Sequence, residues 1–321
     1  MAPLQPVLLD RLALPKIWGG RALDDVFGRV LEPAGEPIGE TWEVYDRPDG
    51  SSPLRGLGLS LADWMGESRS DVLGRGVRPG PAGRFPLLLK FIDAKEALSI
   101  QVHPGPALAA ARGDGPKSEA WVVLAAGPRA RIVRGFREGV TAGDVERAIA
   151  VGGLEDLVHA FTPQVGDVIP VPAGVVHAIG PDVVVFEVQQ NSDLTFRLWD
   201  WGRPRELHVE DALRALDFTP PPPVRSLGEA SGAETTLLDT DDFRVRRLLL
   251  DRPATVGTEG VFKLVTVVEG MAALGWRSGG EHPPIPVRRG DTVLVPAAVD
   301  AIFVSPIGRV GFLVTDPGGR L

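Results

Sequence analysis

"GDVIPVPAGVVHAIG", residues 166–180, decides how the chain is read. A short β-branched run ends in a Pro-Ala-Gly turn, and a single histidine, His177, follows on the next apolar run. Segments of the same kind recur: "FPLLLKFID" (85–93), "EAWVVLAAG" (119–127), "VVVFEVQQ" (183–190), "FKLVTVVEG" (262–270) and "RVGFLVTD" (309–316). Many short strands bounded by Gly, Pro or Asp predict a mainly β protein built as an antiparallel sandwich or barrel. Helical spacing is confined to insertions: "SLADWMGESRSDVLG" (60–74), which opens on a capping serine, "TAGDVERAIAVGGLEDLVHAF" (141–161), which reads as two short helices, and "RELHVEDALRALDF" (205–218).

Composition excludes several function classes. The 321 residues suffice for two domains, with 44% hydrophobic and 24% charged residues and a mean hydropathy of +0.06, the profile of a soluble globule. With 42 acidic against 34 basic residues the net charge is -8, which argues against nucleic acid and against anionic membranes as partners. An anionic ligand must therefore find a local cationic pocket. Cysteine is absent, so disulfides, thiolate metal sites and cysteine nucleophiles are excluded. The opening "MAPLQPVLLDRLALPKIWGG" has neither a basic n-region nor an apolar span, and a cytoplasmic protein is expected, as a monomer or homodimer.

The proline run Pro220–Pro223, followed by "VRSLGEASGAET", reads as a linker. It divides an expected first domain, 1–222, from a second, 223–321. The second block partly repeats the first: "GDTVLVPAAVDAI" (290–302) aligns with "GDVIPVPAGVVHAI" (166–179), and "FKLVTVVEG" (262–270) resembles "EAWVVLAAG" (119–127). Ala301 takes the place of His177 in the second copy, so the turn does not need the histidine.

Partners for His177 come from strand alternation. In "SIQVHP" (99–104) Gln101 and His103 project from one face. An antiparallel return across "GDGPKSE" is expected to bring Glu119 beside them, and His177 closes the set. Two imidazoles, a carboxylate and a carboxamide oxygen form a site that suits zinc, and also iron, manganese, cobalt or nickel. His159, His208 and His282 are read as ordinary core or surface histidines.

The turn formula from Gly166 through Pro172 and Gly174 to His177 resembles the second motif of the cupin superfamily, where that histidine ligates a metal. A closer resemblance follows. "KIWGG" (16–20), "IGETWEV" (38–44), "LLLKFIDAKEALSIQVHP" (87–104), "PKSEAW" (116–121), "VPAGVVHAIG" (171–180) and "VFEVQQNSDLTFRLWDWGRPRELH" (185–208) stand in the order and spacing of the type I mannose-6-phosphate isomerases, in their shorter bacterial form. The resemblance implies two cupin-type jelly-roll barrels with short helical insertions, the second lacking a metal. It also implies zinc on Gln101, His103, Glu119 and His177, an active-site arginine at Arg197, a substrate-pocket lysine at Lys117 and an acidic residue facing the site at Glu187.

The expected reaction interconverts mannose 6-phosphate and fructose 6-phosphate through an enediol. Such a reaction needs a group that takes and returns a carbon-bound proton, together with stabilisation of a developing oxyanion. Glu187 or a metal-bound water is the candidate base. Lys117, Lys90 and Arg197 are candidate anchors for the phosphate, and Trp18 could shape the pocket. Tyr45, Asp46 and Arg47 depart from the family pattern, which leaves the substrate mouth and the sugar open. Two alternatives stand beside this reading: a cupin isomerase or epimerase acting on another sugar, and a non-catalytic, metal-containing sugar sensor.

Overall fold

The computed structural model describes residues 4–226, 233–277 and 282–319. Half of the linker segment "VRSLGEASGAET", residues 227 to 232, lies outside the described residues. The molecule is mainly β. A seven-stranded antiparallel sheet carries, in spatial order, Arg225–Ser226, Asp167–Val171, Glu119–Ala126, Val183–Gln190, Leu87–Ala94, Leu12–Gly20 and Ile38–Val44. A five-stranded sheet carries Val158–Phe161, Ile132–Phe136, His177–Ile179, Ile100–Val102 and Phe196–Trp199. Ile92, Trp121 and Ile169 of the first meet Ile132 and Ile179 of the second in one core, so the two sheets form a sandwich. Among the described residues no sheet closes into a barrel, so the sheets stand open where closed barrels are expected.

Asp46–Arg47 with Gly50–Ser51 and Pro53–Leu54 with Leu59–Ser60 make two small two-stranded sheets, and the remaining strands form a third large sheet of eight. Its two long strands, Lys263–Trp276 and Ala301–Pro317, pair with each other along nearly their whole length, and shorter strands flank them. The divide at 222 is crossed in both directions. Val7–Leu8 pairs with the third sheet at Leu294 and Val293, whereas Arg225–Ser226 pairs back onto Val168 and Asp167.

A shared core joins the halves. Leu87, Leu89 and Phe91 point out of the first sandwich and pack with Phe243, Phe262 and Leu264 of the third sheet, and the Phe85 and Phe262 rings lie 4.7 Å apart. Burying one such ring stabilises by roughly 2 kcal/mol. The strand Leu87–Ala94 is therefore covered on both faces and buried at every position, which is why it reads as an unbroken apolar run. Its one ammonium, Lys90, needs a partner inside.

The helices follow local chemistry. Ser60 with Asp63 and Thr141 with Asp144 form reciprocal capping boxes at the starts of Leu61–Leu73 and Ala142–Val151. Leu154–Leu157 and Val209–Ala215 occupy the other predicted stretches, and Ala22–Phe27 and Pro106–Ala111 are additional. No described helix is long and apolar enough to cross a membrane.

The internal repeat survives in hydrogen bonds. Val175 N donates to Pro172 O at 3.1 Å and Val299 N to Pro296 O at 3.0 Å, and Gly166 and Gly290 hold φ of 91° and 86°. Strand pairing corrects the second alignment by one residue. Glu119 stands opposite Val171 and Lys263 opposite Val295, so Lys263, not Phe262, matches Glu119. A shift of one residue exchanges the faces of a strand. Phe262 therefore joins the shared core while Lys263 points inward.

Candidate metal centre and sugar pocket

Two rows of residues, one on each sheet of the sandwich, build the site. In the five-stranded sheet Arg197 and His177 each stand directly opposite Gln101, giving a row across three strands. In the seven-stranded sheet Trp121, Glu187, Lys90 and Trp42 are in register across four strands. Glu119, two residues before Trp121, shares its face. The expected hairpin between Gln101 and Glu119 is not how they meet. Glu119 reaches His103 and His177 from the opposite sheet, because the loop from 104 to 118 carries the chain across the sandwich rather than back along one sheet.

The meeting point is a cluster of acceptors without protons. Glu119 Oε2 lies 3.2 Å from His103 Nε2, and Glu119 Oε1 lies 3.4 Å from His177 Nε2. His103 Nδ1 is 2.9 Å from the Leu194 carbonyl and His177 Nδ1 is 2.8 Å from the Val175 carbonyl. A carbonyl only accepts, so each Nδ1 carries the hydrogen and each Nε2 presents a lone pair. Burial lowers His103 to about 3, helped by the Lys117 ammonium, and burial likewise lowers His177. Burial alone would raise Glu119, but the Lys117 ammonium leads the charges that oppose it, and the carboxyl is held well below its ordinary value. His103 Nε2 and Glu119 Oε2 are buried with no hydrogen-bond partner, although they touch. Two acceptors in contact repel, and a divalent cation between them removes the conflict.

The donor set of His103, Glu119 and His177, with all ligand atoms within 4.8 Å of one another, fits such an ion. Gln101 adjoins it, with Nε2 3.3 Å from His177 Nε2 and Oε1 accepting from Ser99 Oγ at 3.0 Å. Exchanging the two ends of the carboxamide presents Oε1 to the ion and still hydrogen-bonds the Ser99 hydroxyl.

Beside the cluster lies a second charged pair. Lys90 Nζ is 3.2 Å from Glu187 Oε1 and 3.9 Å from Glu40 Oε2. Trp121 Nε1 donates to Glu187 Oε2 at 3.0 Å. Burial raises Glu187, against the pull of Lys90. Burial opposes the charge on Lys90, but Glu187 and Glu40 prevail and raise it. Lys117 Nζ is 3.4 Å from Glu119 Oε2, so both lysines have carboxylate partners. Arg197 is the contrast: its Nε is buried without a hydrogen-bond partner, and burial together with the charge of Arg205 lowers its pKa.

Gln101, Glu119, His177, Lys117, Glu187, Lys90 and Arg197 open on one cavity of 480 Å³, whereas His103 is not among its lining residues. Trp18 forms part of its wall. Lys16, Glu40, Asp193, Arg205 and His208 also line it, and sequence reading missed them. For Glu40 a signal existed, since in "IGETWEV" it shares a strand face with Trp42. His208, set aside from sequence, accepts from Arg197 N at 3.3 Å. Tyr45, Asp46 and Arg47 are not among the lining residues. Arg47 instead bonds Asp114 at 2.8 Å and the Asn191 carbonyl at 2.9 Å, and Asp46 accepts from Phe85 N at 2.9 Å. Arg47 and Asp46 thus support the loop at Asn191, and the Tyr45 ring packs edge-on against Trp42 of the cavity wall, with centroids 5.8 Å apart.

Comparison with known proteins agrees with this geometry. The catalytic domain of phosphomannose isomerase type I matches residues 8–123. The mannose-6-phosphate isomerase of Streptococcus mutans is 31% identical over 317 residues, covering 92% of this chain and 93% of the relative. The chain belongs to the type I phosphomannose isomerase family. Within that family, mannose-6-phosphate isomerase ManA of Bacillus subtilis is also 31% identical, over 91% of this chain and 93% of its own length. The crystal structure of the Bacillus subtilis mannose 6-phosphate isomerase superposes with a TM-score of 0.84 at 29% identity, covering 97% and 99% of the two chains.

Proposed function

We propose that the chain interconverts mannose 6-phosphate and fructose 6-phosphate, with a zinc ion on Gln101, His103, Glu119 and His177. The observation that carries this is the acceptor cluster of His103, Glu119 and His177, of which Glu119 and His177 open on the same cavity as Glu187, Lys90 and Arg197. Bound there, the ion supplies a positive charge that polarises a sugar oxygen. Glu187 takes the proton from C2 to give the enediol and returns it to C1. The hydroxyl proton of O2 passes to O1, so that the aldehyde becomes a hydroxymethyl group and C2 a ketone. Glu187 Oε1 is well placed as the base, because the atom is buried, ion-paired with Lys90 but outside hydrogen-bond geometry, and burial keeps it more basic than an ordinary carboxylate. Trp121 fixes the other oxygen. Lys90 and Lys117 keep Glu187 and Glu119 ionised. Arg197, which makes no side-chain ion pair among the described residues, meets the negative charge of the substrate.

We further propose that residues 1–222 form a catalytic unit of cupin type and that 223–321 is a second, metal-free copy. The common turn supports this. The test is a coupled assay for fructose 6-phosphate from mannose 6-phosphate, run before chelation, after it, and after zinc is restored. Turnover that vanishes and returns with the metal is expected. Folded, zinc-loaded protein that leaves mannose 6-phosphate unchanged would overturn the assignment.

A further inference from the structure

Ser118 lies between Lys117 and Glu119, whose side chains face the cavity, while its own side chain faces away. It is a junction of three hydrogen bonds. Ser118 N donates to Gln190 Oε1 at 2.8 Å, and Gln190 N donates to Ser118 O at 3.0 Å. The hydroxyl accepts from Ala173 N at 3.4 Å, in the turn that leads to His177. Gln190 closes the figure, with Nε2 donating to Asp242 Oδ1 at 2.8 Å. The same turn is tied to His103, because Gly174 N donates to His103 O at 2.9 Å. The segments bearing three ligands thus meet behind the site, and the carboxylate that accepts from Gln190 belongs to the other half of the chain.

Asp242 is itself held firmly. Thr240 Oγ1 accepts from Asp242 N at 3.3 Å and from Phe243 N at 3.1 Å, and Phe243 is anchored in the core shared by the two halves. We propose that Asp242 is a positioning residue for the metal centre, acting through Gln190 on Ser118 to set the reach of Glu119 and Lys117. The inference rests on the metal site proposed above. It gives the metal-free half a role in the chemistry of the other: ligand oxygens must hold to about 0.2 Å for good coordination, and the strand that carries Glu119 is braced here from outside the sandwich.

The full chain with Asp242→Ala, Asp242→Asn or Gln190→Ala tests it, read by zinc release to a chromogenic chelator, by melting of the metal-free protein, and by kcat and KM. Loss of an outer hydrogen-bond partner is expected to speed zinc release about tenfold and to lower kcat with little change in KM. Asp242→Asn keeps a carbonyl for Gln190, so it should stay near the parent. Gln190→Ala, which removes the carboxamide between Asp242 and Ser118, should reproduce the Asp242→Ala behaviour, and it carries the test if that variant does not fold. An Asp242→Ala protein that melts earlier but releases zinc at the parent rate overturns the proposal, as does an Asp242→Asn protein equally impaired. A parent protein that binds no zinc overturns the metal site itself, a separate failure.

Discussion

Lys263 stands in the third sheet where Glu119 stands in the sandwich. Each opens its strand, and each faces the same residue of the repeated turn unit, Val295 for Lys263 and Val171 for Glu119. Ala301 likewise matches His177, and its pairing partner Gly257 matches Gln101. In place of ligands the second copy has a buried ion cluster. Lys263 Nζ is 2.9 Å from Asp316 Oδ2, Arg246 is 3.1 Å from the same oxygen, and Arg244 is 3.0 Å from Asp316 Oδ1. An ammonium occupies the role of a metal cation, bonded to a carboxylate that is fully buried.

Lys263→Met should therefore cost stability without touching the metal. Asp316 keeps its two arginines, so the loss should be about 2 kcal/mol, below the roughly 3–5 kcal/mol of a fully broken buried pair. Asp316→Asn, which leaves several buried cations short of a partner, should cost more. Urea denaturation with zinc content measured in parallel checks both. Loss of zinc from Lys263→Met would contradict the separation of the two centres.

Glu187 and Lys90 make a prediction with a sign. Lys90 favours the carboxylate, so Lys90→Met should raise the Glu187 pKa beyond the value that burial already gives it. A base acts only when deprotonated, so the acidic limb of kcat/KM should move to higher pH. Glu187→Gln should lower kcat by about 100-fold or more and stop deuterium exchange at C2. Exchange at the parent rate in that variant would remove Glu187 from the role.

Much of the site was legible because two local rules act on it. Alternation put Gln101 and His103 on one face, and the Pro172, Gly174, His177 turn identified the third element. The route by which Glu119 arrives was not legible, since a loop that returns along a sheet and one that crosses to another have the same sequence character. The register of Lys263 was hidden for a related reason: two apolar strands align nearly as well one residue out of step, and only pairing with Val295 decides. Lys16, Arg205 and His208 were missed because charged residues without a motif read as solvated surface. The shared core escaped because its members, such as Phe85 and Phe262, are far apart in sequence.

Gly19 and Gly66 should respond oppositely to alanine. A Cβ on Gly19 would lie 2.4 Å from Gly39 N and 2.6 Å from Gly39 Cα, backbone that cannot turn aside. Gly19→Ala should part the strands Leu12–Gly20 and Ile38–Val44, displace the neighbouring Trp18, cost about 1–3 kcal/mol and raise KM more than it lowers kcat. Gly66, in the helix Leu61–Leu73, has nothing within 4 Å of the added carbon. Gly66→Ala should be neutral or should stabilise by up to about 1 kcal/mol. Thermal melts of the two variants decide.

His177→Ala should convert the first copy to the second at that position, and the second copy shows what remains. The turn before Ala301 keeps the bond from Val299 N to Pro296 O, at 3.0 Å, without an imidazole, so the turn before residue 177 should hold its shape as well. Removing His177 also relieves its contact with Glu119 Oε1, which in the metal-free protein sets two acceptors against each other. The variant is therefore expected to stay folded by circular dichroism and to melt close to the metal-free parent, while its zinc affinity falls by about 100-fold or more, the upper part of the range for disturbed coordination. The parent should melt higher as free zinc rises, because only the folded chain holds the ion. His177→Ala should lose that dependence. A variant that still binds one zinc with parent affinity would show that His177 is not a ligand, and the acceptor cluster would then need another explanation.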